Sequence, residues 1–332
     1  MEEKEAQSRS SAVAKMSLRD RIGMYIQATD TVDTISRIRE AEQMGVQQIW
    51  LSSESAGCAD VLTVFAAVAT QTERIKLGTA IVPTYPRHPL VMAQQALAVH
   101  DIAPGRLRLG IGTSHRFYME GVYGLQQPSP LPYLKEYLEV MRALLWEGSV
   151  DHHGTFFNVK YTLPRTAQIP LLISAMGPKA FHLAGEIADG AISSTSPLPY
   201  LLNQALPMLH AGAKSSARPA PPVIALMQVA LSTDEAAVLA AVRQQVQRMA
   251  HLDAFARMFV KAGFAGAVAG DEENLDALAR ALVISGDEAT VSRRIQELLA
   301  SGLDELLLAL VPIVDEPRER KQLLHLIGSL EV

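Results

Sequence analysis

The chain has 332 residues, 48% of them hydrophobic and 20% charged, enough apolar material for one large buried core. Its formal net charge of −5, with no block of Lys or Arg, argues against a nucleic-acid-binding surface. The single cysteine, Cys58, excludes an internal disulfide and suits a reducing cytoplasm, and no run of 18 apolar residues predicts a membrane span. Residues 1–20 lack the apolar core of a signal peptide and read as a flexible tail. The remainder, 21–332, reads as one domain with an insertion at about 233–285.

From Arg21 the pattern is regular. RIGMYIQ (21–27) predicts a buried strand. TVDTISRIREAEQMG (31–45) then sets Ile35, Ile38, Ala41 and Met44 on one helical face, with Gly45 as a natural stop. VQQIWLSSE (46–54) is a strand, DVLTVFAAVATQT (60–72) an apolar helix and IKLGTAIVP (75–83) a third strand. A helix follows over about 89–102, and RLRLGIGTSHR (106–116) supplies the fourth strand. A long polar connection, holding His152 and His153 beyond the helix predicted at 133–148, leads to PLLISAMG (170–177), GAISSTS (190–196), PVIALMQVALS (222–232) and DELLLALVP (304–312). Each of these four strands precedes helical sequence. The segments AEQMGVQQIWL, AGEIADGAISS and LLASGLDELLLAL echo one another as helix end, glycine and apolar strand. Apolar strands alternating with amphipathic helices imply a parallel sheet covered on both faces, and eight such units imply an α/β fold, a closed (β/α)8 TIM barrel.

In such barrels the chemistry lies at the C-terminal ends of the strands. The residues to weigh are therefore Gln27, Ser53, Glu54, Ala80 to Thr84, Gly112 to Arg116, Ser174 to Lys179, Ser194 to Ser196 and Gln228. A dinucleotide fingerprint fails, because GIGTSH lacks the third glycine and no helix start follows. A barrel metal site also fails: MYIQ offers no histidine pair, and adjacent His152 and His153 would face opposite ways on a strand. In AMGPKA (175–180), Pro178 suits a first helical turn. The free N–H groups around Gly177 to Lys179 would then meet an anion, with Lys179 adding charge and Ser194 and Thr195 adding donors.

Residues 77–116 (LGTAIVPTYPRHPLVMAQQALAVHDIAPGRLRLGIGTSHR), extended by 133–159, 170–194 and 285–312, resemble the luciferase-like superfamily of flavin and deazaflavin oxidoreductases. The match is to its branch dependent on coenzyme F420, with FMN as the alternative cofactor. The resemblance implies a luciferase-like barrel with insertions, often a homodimer, that moves a hydride between deazaflavin and a small organic substrate. It implies a non-proline cis peptide at Ala80–Ile81 behind the ring, and phosphate contacts from Met176, Gly177, Pro178, Ser194 and Thr195. Gly110 and Gly112 then read as close backbone approach to the ring. Thr113 and Ser114 would complete the cofactor face, and the loop to Arg116 would turn toward substrate, with Arg116 binding it. The sugar-phosphate dehydrogenases of this family carry histidine and glutamate where this chain has Glu54 and Thr113, which removes the basis for a sugar-phosphate reaction. Glu54 and His115 remain the candidate proton-transfer residues. The rival readings are an FMN-dependent monooxygenase and a flavin-binding barrel without catalysis.

Overall fold

The computed structural model describes residues 16–53 and 59–330. In chain order the first half contains β1 (Ile22–Gln27), α1 (Thr31–Gln43), β2 (Gln48–Ser52), α2 (Val61–Ala69), β3 (Lys76–Thr79), β4 (Val82–Pro83), α3 (Pro89–Ile102) and β5 (Leu107–Gly112). Next come α4 (Arg116–Gly121), α5 (Pro130–Arg142), the strands β6 (Ser149–His153) and β7 (Asn158–Thr162), then β8 (Leu171–Ala175), α6 (Pro178–Ile187), β9 (Gly190–Ser193), α7 (Leu206–Ser215) and β10 (Val223–Ala230). The insertion supplies α8 (Glu235–Ala250), α9 (Asp253–Lys261), α10 (Glu272–Leu282) and β11 (Val283–Ser285). The chain then finishes with α11 (Glu288–Ala300), β12 (Glu305–Leu310) and α12 (Glu316–Ser329).

Parallel pairing runs β1, β2, β3, β5, β8, β9, β10, β12 and back to β1, so eight strands close the expected barrel. All eight strands read from sequence are present. Six helices, α1, α2, α8, α10, α11 and α12, begin behind an aspartate: Asp30, Asp60, Asp234, Asp271, Asp287 and Asp315. Each carboxylate accepts from the backbone N–H three residues on, which fixes where the helix starts.

The barrel interior is filled by one large side chain and its small neighbours. Trp50 is fully buried in a cluster with Ile81, Leu172, Ile192, Ile224 and Leu307. A Cβ on Gly78 would lie 2.2 Å from the indole and one on Gly23 2.7 Å, so both positions must be glycine for the ring to fit. Below the indole, Arg108 makes two bonds to Glu305, at 2.6 and 2.8 Å, and stands 4.9 Å from the Trp50 ring centre. Gln48 joins both charged groups and receives the indole N–H at 3.2 Å.

Several expectations change. The polar connection holds an antiparallel hairpin, β6–β7, and a π-helical turn prolongs α5 over residues 143–147. His152 and His153 therefore lie on a strand, facing opposite ways: His152 bonds Glu136 at 3.0 Å and His153 meets Asp151 at 3.0 Å. Glu136 also accepts from the backbone N–H groups of Thr155, Phe156 and Phe157. Burial works to raise its pKa, but these donors and His152 outweigh it and hold the carboxyl below the usual range. Hydrophobic periodicity gave no sign of this hairpin, because its outer face is polar. Residues 17–20, assigned to the tail, pack instead: Arg19 donates to the Leu330 carbonyl at 2.7 Å, and the Asp20 carbonyl accepts from Gln48. Arg21 caps the carbonyls of Leu303 and Asp304.

Replacing Arg108 by Met should cost about 3–5 kcal/mol in urea unfolding, because Glu305 would stay buried without its cation. Adding Glu305→Leu should return most of that stability, and an additive double variant would contradict the assignment.

Candidate active site

The register brings the predicted strand ends side by side. β2 ends beside β3, β5 beside β4 through Pro83↔Gly112, β8 beside β5 through Ile111↔Ile173, and β9 beside β8 through Ala175↔Ser193. Ser53, Ala80–Ile81, Gly112–His115, Ser174–Pro178 and Ser194–Thr195 thus form one arc across five neighbouring strands. Tyr25, Ala80 and Leu226 stand partly exposed against the buried Trp50 cluster and form the floor of the mouth.

The third strand breaks where the resemblance requires. β3 pairs with β5 only through Leu77 and Gly78, and β4 resumes the pairing at Val82. Between them Thr79 Oγ1 donates to the Gly110 carbonyl at 2.7 Å and accepts the Gly110 N–H at 2.8 Å, replacing the lost ladder bonds with a side chain. The Ala80–Ile81 peptide is cis. Its flanks are tied to β2, with Ala80 N–H donating to Leu51 and Ser53 N–H to Ile81.

The glycines of the fourth strand have a different reason from the one expected. A Cβ on Gly110 would lie 2.0 Å from the Thr79 carbonyl oxygen, and one on Gly112 2.2 Å from Ser174 Oγ. Protein atoms, not an approaching ring, fill the space above both. Beyond Gly112, buried Gln127 donates to the carbonyls of Thr113 and Ser114, and Ser114 takes a left-handed conformation with φ 59°. Its Oγ is buried with no hydrogen-bond partner among the described residues. The chain thereby turns His115 onto Phe255, ring centres 5.7 Å apart. Burial lowers the His115 pKa below 6.5. Arg116 faces solvent, its side chain 71% exposed and 3.7 Å from Glu120. Glu54 lies outside the described residues.

Further along the same arc, α6 starts with Gly177 and Pro178 and has no side-chain cap. Nothing occupies the space beside Gly177, and the Tyr200 hydroxyl holds the Met176 carbonyl at 2.7 Å. Burial raises the Tyr200 phenol to about 12, so it stays a donor. Ser194 and Thr195, one and two residues beyond the β9 end, are partly exposed and buried respectively. An open, uncapped helix start beside hydroxyls suits an anion, which fits the phosphate contacts read from AMGPKA.

Four contributors escaped the sequence reading. Gln127 and Tyr200 act on backbone carbonyls, which no motif reports. Phe255 and Met258 lie on the inner face of α9, and the spacing of Phe255, Met258 and Phe259 was the available signal.

Residues 16–305 match the model of the luciferase-like monooxygenase family. The chain belongs to this family. It is 33% identical over 209 residues to an F420-dependent glucose-6-phosphate dehydrogenase of Microbacterium testaceum, covering 58% of this chain and 61% of that enzyme's length. It is 28% identical to the 5,10-methylenetetrahydromethanopterin reductase of Methanolobus tindarius over 80% of this chain and 86% of that one. The solved coenzyme F420-dependent tetrahydromethanopterin reductase of Methanopyrus kandleri shares the fold, with TM-score 0.73, 24% identity and coverage of 94% and 98%. Within the luciferase-like family, the mouth of this barrel is where ligand chemistry is to be read.

His115 should titrate below 6.5 in an NMR pH series, the histidine being identified by its loss in His115→Asn. With the folded pKa below the unfolded one, its contribution to stability is present above about pH 6.5 and is lost as pH falls through the folded value. The His115→Asn variant should lose that part of the slope, and an unchanged slope would contradict it.

Proposed function

We propose that this protein is a coenzyme F420-dependent oxidoreductase that moves a hydride between the deazaflavin and a small organic substrate. The observation that carries the reading is the open start of α6 at Gly177, beside Ser194 and Thr195, in a barrel of this family. Relatives named F420-dependent glucose-6-phosphate dehydrogenase support the cofactor. No helix among the described residues is long and apolar enough to cross a membrane. A homodimer acting in the cytoplasm is part of the same proposal.

When bound, a deazaflavin supplies the hydride-accepting or hydride-donating carbon, and the protein supplies position, dryness and a proton route. The Gly177 and Lys179 N–H groups would hold the cofactor phosphate, aided by the Ser194 hydroxyl and Thr195. Tyr200 keeps the Met176 carbonyl turned back, so the segment presents its donors. Ala80 and Ile81 would lie against the bound ring, and Thr79 fixes their position by its two bonds to Gly110. Gly112 allows Ser174 to approach, while Thr113 and Ser114, clamped by Gln127, would contact the bound cofactor. His115, kept neutral at pH 7 by burial, holds or accepts a proton at a ring nitrogen. Glu54, two residues beyond β2 in the sequence, is the second proton-transfer group.

Saturable binding of oxidised and reduced deazaflavin, with none of FMN, is the expected titration result. Ser194→Ala should weaken that binding about threefold to tenfold, the loss of one hydrogen bond. Co-purified FMN with NADH-driven oxygen uptake would overturn the assignment in favour of a monooxygenase.

A further inference from the structure

The insertion crosses the mouth. His115 follows β5 and Ser196 follows β9, yet both meet α9, which follows β10: His115 stacks on Phe255, and the Ser196 hydroxyl donates to Met258 Sδ at 3.0 Å. β5 and β10 are separated by β8 and β9 in the barrel, so α9 lies over the ends of those strands. Phe255, Met258 and Phe259 are buried on its inner face, and Asp253, Arg257 and Lys261 are exposed on its outer one. The wall opposite the floor is therefore apolar.

An uncharged polar group stands beside it on β10. Ile224, Leu226 and Gln228 share the inward face of β10: Ile224 belongs to the Trp50 cluster, Leu226 rests on it, and Gln228 is one inward step nearer the opening. Gln228 is 4% exposed and its Nε2 donates to Gln245 Oε1 at 2.7 Å, while its own Oε1 has no hydrogen-bond partner among the described residues. A buried acceptor left unpaired is costly, so this atom calls for a donor. Among the described residues, the basic side chains of the surrounding loops are committed elsewhere. Arg116 is in solvent with Glu120, Arg87 pairs with Asp60, and Lys179 sits on the phosphate side.

We infer that the substrate taken by this site is an uncharged, largely apolar molecule bearing a hydroxyl or N–H donor, which Gln228 Oε1 receives while Phe255 and Met258 cover the carbon skeleton. This rests on the proposed function for the location of the site, and it specifies the substrate class. Recognition comes from burial and one directional hydrogen bond, with no ion pair. A phosphorylated or carboxylated substrate would leave an anion facing an apolar helix face.

A matched pair of probes tests it: cyclohexanol and trans-4-hydroxycyclohexanecarboxylate, which add the same ring and hydroxyl with and without a charge. Binding is followed by the His115 imidazole resonances, with and without oxidised deazaflavin. Cyclohexanol should perturb them at concentrations at least about tenfold lower than the carboxylate. Gln228→Leu should weaken cyclohexanol binding about fivefold to tenfold with an unchanged unfolding midpoint, and Phe255→Leu should weaken it with the hydroxyl preference retained. Equal or tighter binding of the carboxylate would overturn the inference, as would a folded Gln228→Leu variant that binds cyclohexanol normally. Loss of deazaflavin binding with the cyclohexanol response intact would overturn the cofactor assignment while supporting this substrate class.

Discussion

The packing of Trp50 between Gly23 and Gly78 governs how the barrel is divided. An indole placed across the axis needs two neighbouring strands without side chains, and it takes up interior volume that smaller residues would leave empty. Beneath it the Arg108–Glu305 pair and Gln48 close the N-terminal end with satisfied charges. With filling and closure confined to those levels, the C-terminal level can carry partly exposed groups at Tyr25, Ala80, Ser174 and Ser194. The mouth is open because the middle is full.

Precision at the mouth comes from side chains that bind backbone. Thr79 replaces the ladder bonds lost between β3 and β4, Gln127 takes two carbonyls of the β5 loop, and Tyr200 takes the carbonyl of Met176. Each leaves the N–H side or the side chain of its segment free to face a ligand. Positioning groups of this kind hold a site within the tolerance that catalysis needs, and they sit one layer behind the residues that touch the ligand.

The eight strands and the principal helices were legible because each unit buries an apolar strand and one helical face, a demand written locally in periods of two and 3.6. The AMGPKA turn was legible for the same reason: proline after glycine has a local consequence at a helix start. The β6–β7 hairpin was not, since its stability comes from Glu136, sixteen residues before His152, gripping three N–H groups at once. The glycines of GIG were placed correctly at the strand end, but their cause lay in Thr79 and Ser174 on other strands.

Sequence by itself determined the barrel, the order of its strands and the arc of strand ends on which ligand chemistry would fall, because backbone pairing and hydrophobic period act over short spans. Tertiary structure alone decided that α9 crosses from β10 to meet His115 and Ser196, that Arg116 turns to solvent, and that Gln228 keeps an unshared carbonyl oxygen. Those outcomes depend on contacts between segments far apart in the chain, where no spacing carries the information and only the filled volume of the folded barrel selects the arrangement.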